Sequence, residues 1–561
     1  MNQQSPAASA TDPSLIVKTT SGLVRGANDG AVRSWKGIRF AAPPVGRLRW
    51  KAPVRPEPWN DIADATEFGP VSPQPENAVI VLHPGATQNE DCLTLNVWAP
   101  NGPTGATGPS ADGPLPVMVW VHGGAYIFGA SSQPLFDAQH LVTRGDVIVV
   151  TVNYRLGALG FLDLTSFNTS SNTAVSTTES PAENTFDSNL ALRDVLLSLT
   201  WVQENISAFG GDPQQVTLLG ESAGGSIVTT LMTMPVAAGL FSRAIAESSP
   251  ASSVYDTARS AKVATMFLDK MGIVPSEIER VHSLSIDQIV DGGFAVYRDV
   301  PTNYPGTLAY APIVDGDLVP DYPLARFRAG LAHPVPLMIG TNKDESGMFK
   351  LMKSPLMPIQ SATIMKMFAD MAAEHPELTL PSEAQVGSAY TGLSLKAKGL
   401  GVARDIGFRM PTLWLAEGHS PIAPVYLYRF DWATPMLRLL GIGATHATEL
   451  PYVWGNLVSG PKDITFKLGG LSTGKLLSER MQTRWLAFAV HGEPTGPAGE
   501  PEWPPFRLET REASAANVSP NASPNASVER ATFVIDKHDS LVYDLDRDLR
   551  LAWGDEVLSF L

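Results

Sequence analysis

The chain holds a single cysteine in 561 residues, Cys92, so it can form no internal disulfide. That usage fits a reducing compartment, and the expected location is the cytoplasm, with secretion the alternative. No long apolar run occurs, so no segment is expected to span a membrane. Met1–Pro13 is polar and rich in small residues, without the basic and apolar regions of a signal peptide, and residues 1–14 are expected to be disordered. Positive charge is also scarce: 41 Lys and Arg face 56 Asp and Glu, a net charge of −15. That balance excludes a nucleic-acid partner, which needs clustered cations to displace phosphate counterions. No cluster of metal-ligating residues, no phosphate-binding glycine loop and no long internal repeat is visible, so neither metal nor cofactor is expected.

What is present is an ordinary apolar fraction of 44%, enough for a large core. Short β-branched runs bounded by turn residues predict strands at Val117–Val121, Val147–Val152, Val216–Leu219, Pro336–Ile339 and Val425–Phe430. Helical patterns lie between them, around Leu190–Asn205, Ala261–Met271 and Leu476–His491. Such alternation predicts an α/β fold with a mostly parallel sheet covered by helices on both faces. Residues 15–561 are read as one domain, with mobile insertions at 101–114, 166–184 and 512–527, where Gly, Pro, Ser, Thr and Asn dominate.

The strongest signal is Gly220-Glu221-Ser222-Ala223-Gly224, directly after the apolar run Val216–Leu219. A strand, then G-x-S-x-G, then helix-compatible residues predict a nucleophile elbow that exposes Ser222 at the carboxyl edge of the sheet. A serine nucleophile needs oxyanion donors, a base and an acid. His122-Gly123-Gly124-Ala125 follows the strand Val117–Val121, and its glycines let backbone N–H groups approach a substrate oxygen. Gly123, Gly124 and Ala223 are the candidate oxyanion donors. His446 sits among small residues in Gly443-Ala444-Thr445-His446-Ala447 and comes last in the chain, as the Ser, acid, His order requires. His375, His419, His491 and His538 have charged, polar or turn-type neighbours and read as surface or structural. The acid should follow the strand ending at Ile339, where Asp344 and Glu345 both qualify by composition. Tyr126, Ile127 and Phe128 either line a substrate pocket or pack beneath the oxyanion loop.

These motifs resemble the type-B carboxylesterases, an α/β-hydrolase family that includes cholinesterases and bacterial p-nitrobenzyl esterases. The resemblance runs through Gly37-Ile38-Arg39-Phe40-Ala41, Glu90-Asp91-Cys92-Leu93, Asn153-Tyr154-Arg155-Leu156-Gly157, the elbow, Pro312-Ile313-Val314-Asp315-Gly316 and Glu449-Leu450-Pro451. It implies an α/β-hydrolase fold with large insertions capping the site. It also implies a triad of Ser222, Glu345 and His446, selecting Glu345 over Asp344, and it gives Ser248 a supporting role near the acid. Two departures stand out. The family's partner for Cys92 is replaced by Ser72, and the loop Pro73–Asp91 has no aromatic residue, so no choline-binding box is expected. The expected activity is cofactor-free hydrolysis of small carboxylic esters, of short-to-medium acyl chains with aryl or alkyl alcohols. The alternatives are carbamate or amide hydrolysis, an interfacial lipase with a lid near Ser354–Met371, and a non-catalytic binding protein. Monomer and dimer both remain open.

Overall fold

The computed structural model describes residues 12–77, 79–101, 113–168, 185–374, 380–458, 463–508 and 530–554. The expected disorder at 1–14, His375 and the insertions at 101–114, 166–184 and 512–527 lie wholly or mostly outside the described residues.

The run Leu115–Val121 shows why a central sheet forms. Its residues alternate between two separate apolar cores: Val117, Val119 and Val121 enter one, Met118 and Trp120 the other. Only a strand buried on both faces divides its side chains in this way. Among the described residues eleven strands join in one sheet. In chain order they are β1 (Ala27–Asn28), β2 (Val32–Arg39), β3 (Thr94–Pro100), β4 (Leu115–Val121), β5 (Ile148–Val152) and β6 (Gly211–Glu221). They continue with β7 (Arg243–Glu247), β8 (Leu337–Asn342), β9 (Val425–Phe430), β10 (Ala531–Ile535) and β11 (Ser540–Tyr543). The spatial order is β11-β10-β9-β8-β7-β6-β4-β5-β3-β2-β1. From β5 to β10 every neighbouring pair is parallel, and the flanking pairs are antiparallel.

Helices cover both faces. On one, α1 (Leu190–Asn205) and α2 (Ala223–Leu231) bury Leu199 and Ile227 in the first core. Further along the chain come α3 (Ile286–Asn303) and α4 (Ser361–Glu374). On the other face, α5 (Leu471–His491) inserts Leu477, Met481, Trp485 and Phe488 into the second core. The segment considered as a lid lies largely in α4, where Met367 and Met371 are buried and Phe368 lies 6.1 Å from Trp553. Among the described residues no helix is long and apolar enough to cross a membrane.

Cys92 is fully buried, and that burial pushes its thiol up to about 12, so it is inert as a nucleophile. The Ser72 hydroxyl, in the place of a second cysteine, accepts the Leu156 N–H at 3.1 Å. The segment after β5 is pinned to α1 by a buried ion pair. Arg155 donates to both oxygens of Asp194 at 2.7 and 2.8 Å, and also to the Lys51 carbonyl. Losing one partner of such a pair strands the other charge out of water. Asp194→Ala is expected to lower stability by about 3–5 kcal/mol, seen as a lower urea midpoint. An unchanged midpoint would show that Arg155 is satisfied without it.

Candidate functional site

Strand β6 ends at Glu221 and α2 begins at Ala223, leaving one residue for the turn. Ser222 makes it with φ 56° and ψ −122°, a conformation L-residues rarely adopt. Two contacts hold it there: the Ser222 N–H donates to the Glu247 carbonyl at 2.9 Å, and the Ser226 N–H to the Ser222 carbonyl at 2.9 Å. The flanking glycines are sterically required. A Cβ on Gly224 would stand 2.1 Å from the Val121 carbonyl oxygen, and one on Gly220 2.7 Å from the Gly224 backbone.

The neighbouring strand β4 leads into His122-Gly123-Gly124, which runs alongside the elbow. A Cβ on Gly123 would meet Glu221 Oε2 at 2.6 Å and Ser222 Cβ at 3.0 Å, so the loop backbone lies against the serine. Gly124 has φ 121°, and its carbonyl accepts the N–H groups of Ile127 and Phe128. His122 stacks on Tyr154 at 4.5 Å, and burial drops its pKa to about 4, which fixes it as neutral scaffold. Tyr126 and Ile127 are buried, with Tyr126 edge-on to Phe161 at 4.8 Å and Ile127 against Gly157. Phe128 packs edge-on to Phe294 and Tyr297 of α3 at 6.2 and 5.9 Å.

The turn after β8 and the loop carrying His446 form one unit. Asp344 Oδ2 accepts the Ala444 N–H at 3.1 Å, and the Asp344 N–H donates to the Ala444 carbonyl at 2.9 Å. Asp344 therefore braces the loop, and its neighbour Glu345 turns inward. Glu345 Oε2 lies 2.7 Å from His446 Nδ1, and Oε1 accepts the Ser248 hydroxyl at 2.6 Å and the Asn342 N–H at 2.7 Å. His446 Nε2 lies 2.8 Å from Ser222 Oγ. Ser222, Glu345, His446 and Ser248 are thus brought together from positions spread over more than two hundred residues. Where glycine follows the acid in the resembling family, Ser346 has an ordinary right-handed conformation and bonds the Leu400 carbonyl at 2.8 Å. His419 is buried elsewhere, 2.8 Å from the Val335 carbonyl.

Several neighbours of His446 were not singled out in the sequence. Glu221 Oε1 lies 3.2 Å from His446 Nε2. Its place inside the elbow was the available signal, since a strand's last residue next to Ser222 must abut whatever faces the serine. Phe349 and Phe408 pack on the imidazole at 5.3 and 4.6 Å. Phe408 lies in a π-helical turn, Asp405–Arg409, which no sequence pattern announces. Burial disfavours the His446 cation, but Glu221 and then Glu345 outweigh it, and its pKa stands above the ordinary 6.5. Among the described residues no group of three or more His, Cys, Asp or Glu is arranged to hold a metal ion.

An alcohol hydrogen-bonded to an imidazole, itself bonded to a fully buried carboxylate, is an arrangement able to generate an alkoxide-like nucleophile. The profile of the Carboxylesterase family matches residues 13–533. Para-nitrobenzyl esterase of Bacillus subtilis is 38% identical over 505 residues, covering 89% of this chain and 94% of that protein. Fumonisin B1 esterase of Sphingopyxis macrogoltabida is 33% identical over 519 residues, covering 89% and 86%. A solved PNB esterase superposes with a TM-score of 0.79 at 34% identity, covering 96% of this chain and 99% of that one. A carboxylesterase of Geobacillus stearothermophilus gives 0.76 at 31% identity, covering 96% and 100%. The sheet is that of an α/β-hydrolase, and the chain belongs to the carboxylesterase family, whose members hydrolyse carboxylic esters.

Proposed function

We propose that this protein hydrolyses carboxylic esters through an acyl-enzyme on Ser222. The observation that carries the reading is the continuous chain Ser222 Oγ, His446 Nε2, His446 Nδ1, Glu345 Oε2, with links of 2.8 and 2.7 Å. His446 removes the Ser222 proton as Oγ attacks the ester carbonyl, and Glu345 stabilises the imidazolium that forms. The oxyanion accepts N–H groups of Gly123, Gly124 and Ala223, each worth about 3 kcal/mol in a dry site. His446 then protonates the leaving alcohol, and water removes the acyl group by the reverse route. Ser248 acts as a positioning residue, holding the Glu345 oxygen that does not face His446.

The alcohol and acyl groups are supported less directly. Phe349 and Phe408 beside His446, and Phe128 with its partners Phe294 and Tyr297, present aromatic surface suited to uncharged aryl or alkyl groups. Short-to-medium acyl chains are the proposed substrates, with a small-molecule ester as the only partner the reaction needs. The free, buried thiol of Cys92 supports a cytoplasmic location. A lipase reading would require α4 to leave its contacts around Met367, Met371 and Trp553.

Hydrolysis of p-nitrophenyl acetate through octanoate tests the reading. Ser222→Ala is expected to lower kcat by about 10⁴-fold or more, with a maximum in acyl length for the wild type. Equal rates in the two proteins would refute it. The base must be neutral to act, so kcat/KM is expected to fall with acid along a limb centred above 6.5, the ordinary histidine value. Because Glu221 supplies much of that elevation, Glu221→Gln is expected to move the limb to lower pH. A shift to higher pH would contradict the charge relation between Glu221 and His446.

A further inference from the structure

Behind the triad lies a row of polar side chains that the reaction scheme does not use. Register places Glu221 of β6 opposite Glu247 of β7, Glu247 opposite Gly340 of β8, and Gly340 opposite Tyr428 of β9. Directly paired residues on parallel strands project from the same face. Gly340 leaves its place in the row empty, and the Tyr428 ring fills it: a Cβ on Gly340 would lie 2.3 Å from that ring. Trp485 of α5 closes the row from above, 5.3 Å from the Tyr428 ring, with its indole N–H donating to Glu247 Oε1 at 2.7 Å. Glu449, three residues after His446, completes the group, hydrogen-bonded by the Asn342 side-chain amide.

Counting donors and acceptors gives a deficit. Among the described residues Glu247 Oε2, Glu449 Oε1, Asn342 Oδ1 and the Tyr428 hydroxyl are buried without a hydrogen-bond partner, and Glu221 Oε1 faces only His446 Nε2. Four are acceptors if every carboxyl is ionised, and one tyrosine proton cannot satisfy them. Four carboxylates, counting Glu345, would also crowd around one imidazole, at high cost where every one of these side chains is buried. Protons must therefore reside on some of them. Glu345 already accepts the Ser248 and Asn342 donors and faces His446, so both its oxygens are satisfied without a further proton. Glu221 faces His446, the group that becomes a cation when the imidazole takes up a proton. Glu247 has a neutral indole and no cation, and Glu449 a neutral amide.

We infer that Glu247 is held as a neutral carboxylic acid whose O–H donates to Glu221, and that it positions the negative charge of Glu221 beside His446. Electrostatics agree in direction. Burial raises the Glu247 carboxyl against the pull of the Trp485 bond, and the Glu221 charge raises it further. Burial and Glu345 raise Glu221 as well, but the imidazole pulls against them and it stops at about 7, below Glu247 at about 8. Glu449 is raised by burial and by all three other glutamates. Tyr428, which faces the four glutamates, is kept neutral by burial and by their charges. Glu247 is a positioning residue, since it reaches the substrate only through Glu221 and His446. This assignment rests on His446 being the base of the proposed reaction.

The direct test is infrared difference spectroscopy of the full-length protein at neutral pH, wild type minus Glu247→Gln. It reads the proton whether or not the reaction scheme holds. The expected result is the C=O stretch of a protonated carboxyl group that shifts in D₂O. Loss of ionised carboxylate bands instead would overturn the inference. So would failure of Glu247→Gln to fold, because an amide is the nearest mimic of a neutral acid. A second readout comes from Glu247→Leu, which removes the O–H. Without that donor Glu221 takes up a proton more readily and ceases to support the imidazolium, so the acid limb of kcat/KM should move to lower pH. Glu247→Gln should rescue kcat/KM by about tenfold over the leucine variant, the effect of one hydrogen bond to a charged group. Equal loss in both variants with an unmoved limb would reduce Glu247 to a packing role.

Discussion

The constraint on which the site depends is the approach of the α2 backbone to the carboxyl ends of β4 and β6. The Val121 carbonyl comes so near Gly224 that a Cβ there would be 2.1 Å away. Every other feature follows from that proximity. It forces the strand to turn into a helix within one residue, which leaves Ser222 at φ 56°. It brings the Gly123 backbone against Ser222 and leaves the Ala223 N–H at a helix start, where no earlier residue can accept it. A non-glycine residue held in such a conformation costs about 1–3 kcal/mol. A central sheet buried on both faces, with Trp120, Leu218 and Ile245 in its cores, is what makes that strain tolerable.

The second organising element is electrostatic. One imidazole is surrounded by buried carboxyl groups, where burial penalises every charge and neighbouring charges act with little screening. The outcome for each group depends on its hydrogen bonds. Glu345 has three donors around it; Glu221 depends on the imidazole itself; Glu247 and Glu449 have only neutral partners. Such a gradient, from fully supported to unsupported carboxyl, lets one sheet edge keep adjacent glutamates in different protonation states. The imidazole then feels a negative field whose strength is set by residues it does not touch.

Much of this was legible in the sequence where local and global requirements coincide. Val425–Phe430 and Leu190–Asn205 were found with their observed bounds, because a buried parallel strand and a long amphipathic helix each leave a strong periodicity. The elbow was legible because its glycines are needed by the turn itself. Other strands were less so: Thr94–Pro100 and Val32–Arg39 carry Asn96, Trp98, Arg33 and Lys36, whose mixed character obscures a simple alternation. Composition alone left Asp344 and Glu345 indistinguishable; the resemblance selected Glu345, and the three-dimensional turn shows why, with Asp344 bracing Ala444 and Glu345 reaching His446. Phe349, Phe408 and the row from Glu221 to Tyr428 were invisible because they meet through strand register and a π-helical turn, which are properties of pairing and not of any window of sequence.

The proposed reaction places the acyl group on Ser222. Its most direct test is peptide mapping by mass spectrometry after reaction with diethyl p-nitrophenyl phosphate, which transfers a slowly released phosphoryl group to an activated serine. One label per chain on the peptide containing Ser222, formed together with loss of esterase activity and abolished in His446→Ala, is the expected result. A label on another residue, or full hydrolytic activity retained after Ser222 is modified, would contradict it.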